Sequence, residues 1–293
     1  MSSMPGALGG EGTRRRGHLS GLAFHGFLLF SLAIGIVTLG ALLVQVFLEG
    51  WQYVDAVLLF EPPSADPAIA GAEPAILATI FLGVLLILFT VPIGVGTAIY
   101  LEEYAVRERW YNRWLEINIQ NLAAVPSIVY GILGLAFLVR GLGLGRVLLA
   151  GAFILTLLVL PTVIIAAREA IRAVPGSIRE GAYALGATKW QVVWRQVLPG
   201  AAPGIATGSI LALSRALGET APLLLDGALT YVSFNPTPLG DFTALPVQIF
   251  QYISRPQEEF RGVAAGAIIV LLVILLTLNS VAIWVRNRYQ RKW

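Results

Sequence analysis

Residues Ala75–Tyr100 read AILATIFLGVLLILFTVPIGVGTAIY, a run without one formal charge. Crossing a bilayer core of about 30 Å takes roughly 20 apolar residues in a helix, so this run is long enough to span. Working outward from it, five more stretches meet the same test: Leu22–Leu48, Leu115–Val139, Val147–Ala167, Gly204–Leu225 and Gly262–Val285. Together they account for a chain of 293 residues that is 57% hydrophobic and only 13% charged, with a mean hydropathy of +0.77. Soluble domains average about 25% charged residues. The expected fold is therefore an all-α integral membrane protein with six transmembrane helices and little soluble structure.

The first span follows Arg14, Arg15 and Arg16, as a signal peptide would. Its apolar run is longer than a signal h-region and no small-x-small cleavage site follows, so it reads as a retained helix. Lys and Arg accumulate on the cytoplasmic side of short loops. With the N-terminus inside, fifteen of the twenty basic residues fall in cytoplasmic segments. Arg140, Arg146, Arg255 and Arg261 fall outside, and Arg215 lies within a span. The outer segment Glu49–Glu73 has five acids and no base. The expected topology is N-in and C-in: a tail over residues 1–21, a six-helix domain over 22–285 with a cytoplasmic loop at 168–203, and a basic tail over 286–293. The basic pI reflects that topology, and nucleic acid is not an expected partner; the lipid bilayer is.

Catalytic chemistry has little to work with. There is no cysteine, and the two histidines, His18 and His25, lie near the N-terminus, so no metal site is expected. An intramembrane enzyme would need a polar constellation across several spans; no Asp occurs in them, and the one His, His25, is at the very start of the first. The glycines at 141, 143 and 145 lack a following nucleotide-binding helix and read as a turn. No G-x-x-x-x-G-K-[ST] loop is present, so this chain does not bind ATP itself.

Two features inside the spans stand out. Gly204, Gly208, Ala212 and Ala216 form a stripe at four-residue intervals, which lets two helix backbones approach closely and places the fifth span in the bundle interior. The sixth span, rich in Leu, Ile and Val, looks more peripheral. Beside the stripe, Arg215 and Glu219 stand one helical turn apart. Counted from Gly204, Arg215 lies about 16 Å into the span, close to the midplane. The pair has two readings: a self-neutralising structural contact, or a substrate contact in which the guanidinium fork meets an oxyanion and the carboxylate accepts its proton. Pro126 lies at the same count into the third span, so Ser127 and Tyr130 are candidate hydroxyl donors to the same ligand, although a membrane serine commonly bonds its own backbone. Pro92, Pro126, Pro161 and Pro222 each remove a backbone hydrogen bond, through simple kinks or through hinges lining a pathway.

The loop 168–203 reads as helical from Glu180 to Gln196, ended by Leu198-Pro199 and Pro203, and on its own would be an amphipathic surface helix anchored by Trp190 and Trp194. Its Glu180-Gly181-Ala182, Gly186 and Leu198-Pro199 resemble the EAA loop of ABC importer permeases, with Gly181 in place of the first alanine and Gln196 at a commonly apolar position. Val125–Gly131, Ser214–Pro222, Leu101–Ala105 and Ala244–Phe250 with Ser254–Phe260 are similar to permease subunits of phosphate ABC importers.

The resemblance implies a type I, MetI-like permease fold and a non-catalytic subunit forming half of a phosphate path. Arg215, Glu219, Ser127 and Tyr130 would line that path. Glu180, Gly181, Ala182, Gly186, Leu198 and Pro199 would belong to the loop that docks on the ATPase. It also implies a second permease subunit, two copies of an ATPase that bind ATP and Mg, and a phosphate-binding protein outside a bacterial inner membrane. An importer of molybdate, sulfate or phosphonate is the alternative within the class. A passive channel would have no need of the loop. The outer segment 226–260 is expected to hold a short helix near Val247–Ile253.

Overall fold

The computed structural model describes residues 11–106, 108–226, 228, 232 and 234–289, and the side chains of residues 11–23 are not among what it describes. The expected tail before residue 11 and the terminal Arg291 and Lys292 lie outside the described residues. The chain divides after Leu48 into two units. The first is almost entirely one helix, α1 (Glu11–Gly50), whose apolar side chains from Phe24 onward are exposed on all sides. A helix that is hydrophobic all round suits lipid or a protein interior.

The second unit is built around α6 (Leu148–Arg172), the most enclosed of its long apolar helices. Its Leu155, Val159 and Val163 meet Leu82 and Leu86 of α3 (Glu73–Ile99), and Leu213, Ala216 and Leu217 of α9 (Leu198–Leu217). The small-residue stripe makes the α6–α9 contact close. A methyl group on Gly204 or Gly208 would collide with the Cβ of Ala170 or Ala166. α3 and α6 continue through Pro92 and Pro161 without interruption.

The third and fifth spans are not the continuous helices expected from composition. The third is broken into α4 (Trp110–Ala123) and α5 (Ser127–Gly134), which continues as a π-helical turn to Gly141; the two parts are bent by 106°. Pro126 cannot donate a hydrogen bond and forces the residue before it out of the helical region, so the helix stops and restarts there. The fifth span begins earlier than expected. α8 (Lys189–Val192) leads through a π turn, Val193–Val197, directly into α9. Leu198-Pro199 therefore opens a helix and does not close one, and Pro203 lies inside it. The wider π turn falls just before Pro199, where an α-helical carbonyl would meet the proline ring. α9 then stops at Gly218, and α10 (Ala221–Asp226) follows after a three-residue break.

Around the expected loop, α7 (Gly176–Ala184) and α8 are separate helices, not one. Gly186 has φ +80°. Its N–H donates to Tyr183 O, and the Ala187 N–H to Ala182 O, a left-handed stop that only glycine adopts freely. Thr188 and Gln191 then cap the start of α8 reciprocally. Gly143 and Gly145 also take positive φ in the turn before α6.

In the segment read as external, α2 (Ala56–Phe60), α11 (Leu245–Ile253) and the start of α12 (Glu259–Tyr289) share an apolar cluster of Leu58, Leu245, Tyr252, Phe260 and Val263. Farther along, α12 exposes Val273, Leu276, Val281 and Trp284.

A candidate anion site between two helix breaks

The two interrupted spans meet. Gly131 of α5 lies so close to α10 that a Cβ there would sit 2.8 Å from Pro222 Cα. The short helices that follow the two breaks thus pack together through the absence of a side chain. Beside this contact lies a cavity of about 230 Å³ walled by residues 122–127, by Leu158, Val159 and Thr162 of α6, and by Ala212, Arg215, Ala216 and Glu219. Apart from Thr162 of α6, its polar side chains, Ser127, Arg215 and Glu219, lie at or next to the ends of helices, where backbone partners run out.

Arg215 sits in the last turn of α9, with Glu219 in the break beyond. Because the helix begins upstream of Gly204, the count that placed Arg215 near the midplane does not describe its position. What places it is the break. The Arg215 side chain is 83% exposed, while Glu219 is 22% exposed, and Arg215 Nε stands 3.7 Å from Glu219 Oε1. That separation is beyond a hydrogen bond, so the guanidinium donors remain available. Ser127 is the first residue of α5, at the cavity wall, and the α5 N-terminus has no side-chain cap. The positive end of a helix dipole therefore adds to the cation. Tyr130 is placed elsewhere. It is buried, is not among the residues around the cavity, and donates its hydroxyl to Leu122 O at 2.8 Å, tying α5 back to α4 across the bend.

Of the loop residues, Glu180 and Gly181 are exposed on α7 and Ala182 is half-buried. Gly186 forms the turn, and Leu198 and Pro199 begin α9. Leu185, beside the turn, is 91% exposed. This group is about one turn motif and lies in a different part of the fold from the cavity.

Sequence reasoning treated Arg168, Arg172 and Arg179 only as topology markers. The structure gives them partners. Arg168, itself buried, donates from Nε to Glu102 Oε1 at 2.8 Å and from Nη2 to Glu116, and Arg172 reaches Glu102 Oε1 at 2.7 Å. Arg179 of α7 holds Glu103 Oε1 at 3.1 and 3.0 Å while donating to Val174 O and Ile171 O. The acidic pair Glu102-Glu103 directly after a long apolar run was the available signal, since buried carboxylates require cations.

A multi-pass helical membrane protein with broken spans around a polar cavity and a capped helix–turn–helix between its fourth and fifth spans defines a transport permease. Residues 90–293 match the family model "Binding-protein-dependent transport system inner membrane component", and the chain belongs to that family. It is 30% identical over 285 residues to the "Probable ABC transporter permease protein YqgI" of Bacillus subtilis (strain 168), covering 90% of this chain and 95% of that one. It is 30% identical over 264 residues to the "Phosphate transport system permease protein PstA 1" of Mycobacterium tuberculosis (strain ATCC 25618 / H37Rv), covering 89% and 85%. Among solved structures, a bacterial ABC transporter involved in import of the acidic polysaccharide alginate has a chain that superimposes with a TM-score of 0.62 at 19% identity, over 95% of this chain and 98% of that one. That likeness speaks to the fold, an ABC importer permease fold.

Proposed function

We propose that this chain is the permease subunit of an ATP-driven phosphate importer and forms half of the translocation path. The observation that carries the reading is the cavity at the two helix breaks, lined both by Arg215, only loosely paired with Glu219, and by the uncapped start of α5. Broken helices in transporters present half-helix N-termini to anionic substrates. A guanidinium binds an oxyanion through two parallel hydrogen bonds. Glu219 adds selectivity: HPO₄²⁻ carries a proton to donate to a carboxylate, whereas a fully deprotonated dianion such as sulfate would meet only repulsion. The similarity to PstA 1 supports the same substrate.

In this reading the N- and C-termini are cytoplasmic, in the inner membrane of a bacterium. α7, Gly186 and α8 form the docking loop for a cytoplasmic ATPase, which binds ATP and Mg. The exposed Leu185 and Tyr183 give that loop an apolar contact. A second permease subunit supplies the other half of the path, two ATPase copies sit below, and an external phosphate-binding protein delivers the ligand.

The absence of cysteine makes a direct test simple. In the assembled transporter, Ser127→Cys should react with a water-soluble thiol reagent, and phosphate should slow the reaction while sulfate and molybdate do not. Equal protection by sulfate would move the reading to the other oxyanions. No protection by any anion would overturn it.

A further inference from the structure

The five residues that end the second span, Tyr100–Tyr104, form a single π-helical turn, and nearly every side chain on it holds a different element. Leu101 is buried against Ile119 of α4 and Ile164 of α6. Tyr100 donates to Asn112 Oδ1 on α4 at 3.2 Å. Glu102 receives Arg168 and Arg172 of α6, and Arg168 passes on to Glu116 of α4. Glu103 receives Arg179 of α7. Tyr104 lies under Lys189, the first residue of α8, with the ammonium 5.0 Å from the ring centroid. π turns inside α-helices recur at functional sites, and here the wider turn gathers contacts to both α7 and α8 on one side and to α4 on the other.

The contacts are tight as well as numerous. The Glu102 and Glu103 side chains are 5% and 8% exposed. Carboxylates so enclosed are held only where cations and hydrogen bonds compensate, and such networks bind their elements together as rigid bodies. Arg179 is the strictest link. One guanidinium satisfies Glu103 and, at the same time, two carbonyls at the C-terminal end of α6. α4, the element at the other end of the chain of contacts, continues past Glu116 to its end at Ala123, and its last residues wall the cavity that holds Arg215.

We infer that Tyr100–Tyr104, through Arg179–Glu103 and Glu102–Arg168–Glu116, is the element that transmits displacement of the docking loop to α4 and so to the cavity wall. Glu103, Arg179 and Arg168 are positioning residues in this scheme. They touch neither substrate nor nucleotide. The inference rests on the transport reading above and assigns the part of this chain that links the loop to the cavity wall.

The test uses the full transporter in proteoliposomes and reads phosphate taken up per ATP hydrolysed. Loss of folding or assembly lowers uptake and hydrolysis together; loss of transmission lowers their ratio. Arg179→Glu and Glu103→Arg, each alone, should reduce the ratio about tenfold with hydrolysis retained, and the double exchange should recover it to within about threefold. Glu103→Gln, nearly isosteric, covers the case in which a charge reversal fails to assemble; its ratio should fall by at least about threefold. A wild-type ratio in Glu103→Gln, or a double exchange no better than either single variant, overturns the role. Wild-type protein assayed in parallel separates this from the parent reading: no phosphate uptake by the wild type would overturn the phosphate assignment and with it the role built on it.

Discussion

Arginine and glutamate meet at two places in this fold, with opposite results. In the network around Glu102 the acids Glu102 and Glu103 and the cation Arg168 are buried and in contact at hydrogen-bonding distance, with two arginines on Glu102 and one on Glu103. At the cavity, Arg215 and Glu219 are one turn apart yet 3.7 Å from each other, with the guanidinium mostly exposed. The network spends its hydrogen bonds on the fold. The cavity pair keeps them for a ligand. A charge in a membrane protein is thus assigned to structure or to function by how completely its neighbours satisfy it, more than by its count along a span.

That contrast can be broken by stability measurements. Arg168→Ala should be the most damaging change, since it removes a buried cation, taking one arginine from the enclosed Glu102 and leaving the half-exposed Glu116 with no ion-pair partner among the described residues. A loss of about 3–5 kcal/mol is expected, read as a fall in detergent melting temperature or loss of assembly. Arg215→Ala, removing an exposed and loosely paired charge, should leave melting within about 1 °C of wild type. If the two variants melted alike, the distinction would fail.

Asp226, at the end of α10, sharpens the comparison as a third case. It is fully buried near Gly151 and Phe242, and neither carboxylate oxygen has a hydrogen-bond partner among the described residues. Burial pushes its carboxyl up to about 7, against the pull of Arg146. A raised acid holds its proton more tightly in the folded state, so the folded protein loses stability as pH rises from about 4 to about 7. Asp226→Asn should remove that loss. Its melting temperature should exceed the wild type's by roughly 5 °C at pH 8, with the gap narrowing toward pH 5. A gap that widens on acidification would contradict the assignment.

Smaller effects follow at single contacts. Gly186→Ala must place a Cβ at φ +80°, at a cost of about 1–2 kcal/mol, and should weaken retention of the ATPase in a pull-down while leaving the packing of α3, α6 and α9 intact. Tyr130→Phe removes one hydrogen bond to Leu122 O and should cost about 1 kcal/mol with phosphate uptake preserved. Loss of uptake without loss of stability would return Tyr130 to the ligand path.

The spans were legible from composition because apolar length is a local property. The stripe at Gly204 and Gly208 was legible because helical spacing is local too, and it packs on α6 at Ala170 and Ala166. The breaks were only half legible. Pro126 and Pro222 each marked a weakness, but a 106° bend depends on what α5 packs against, and the stop at Gly218 falls four residues before the proline that cannot bond its carbonyl. Leu198-Pro199 misled, since proline suits the start of a helix as well as it follows an end. The ion-pair network was legible only on its acidic side, at Glu102-Glu103, and its pairing was not. Arg168 and Glu102 are 66 residues apart, and only the packing of α6 on α3 brings them together.

The central claim is that Arg215 is held free at a helix break to receive phosphate. ATP-driven phosphate uptake by the assembled transporter carrying Arg215→Ala tests it most directly. The account predicts uptake at background with assembly and melting temperature unchanged. Uptake at the wild-type rate would contradict it and make the pair structural.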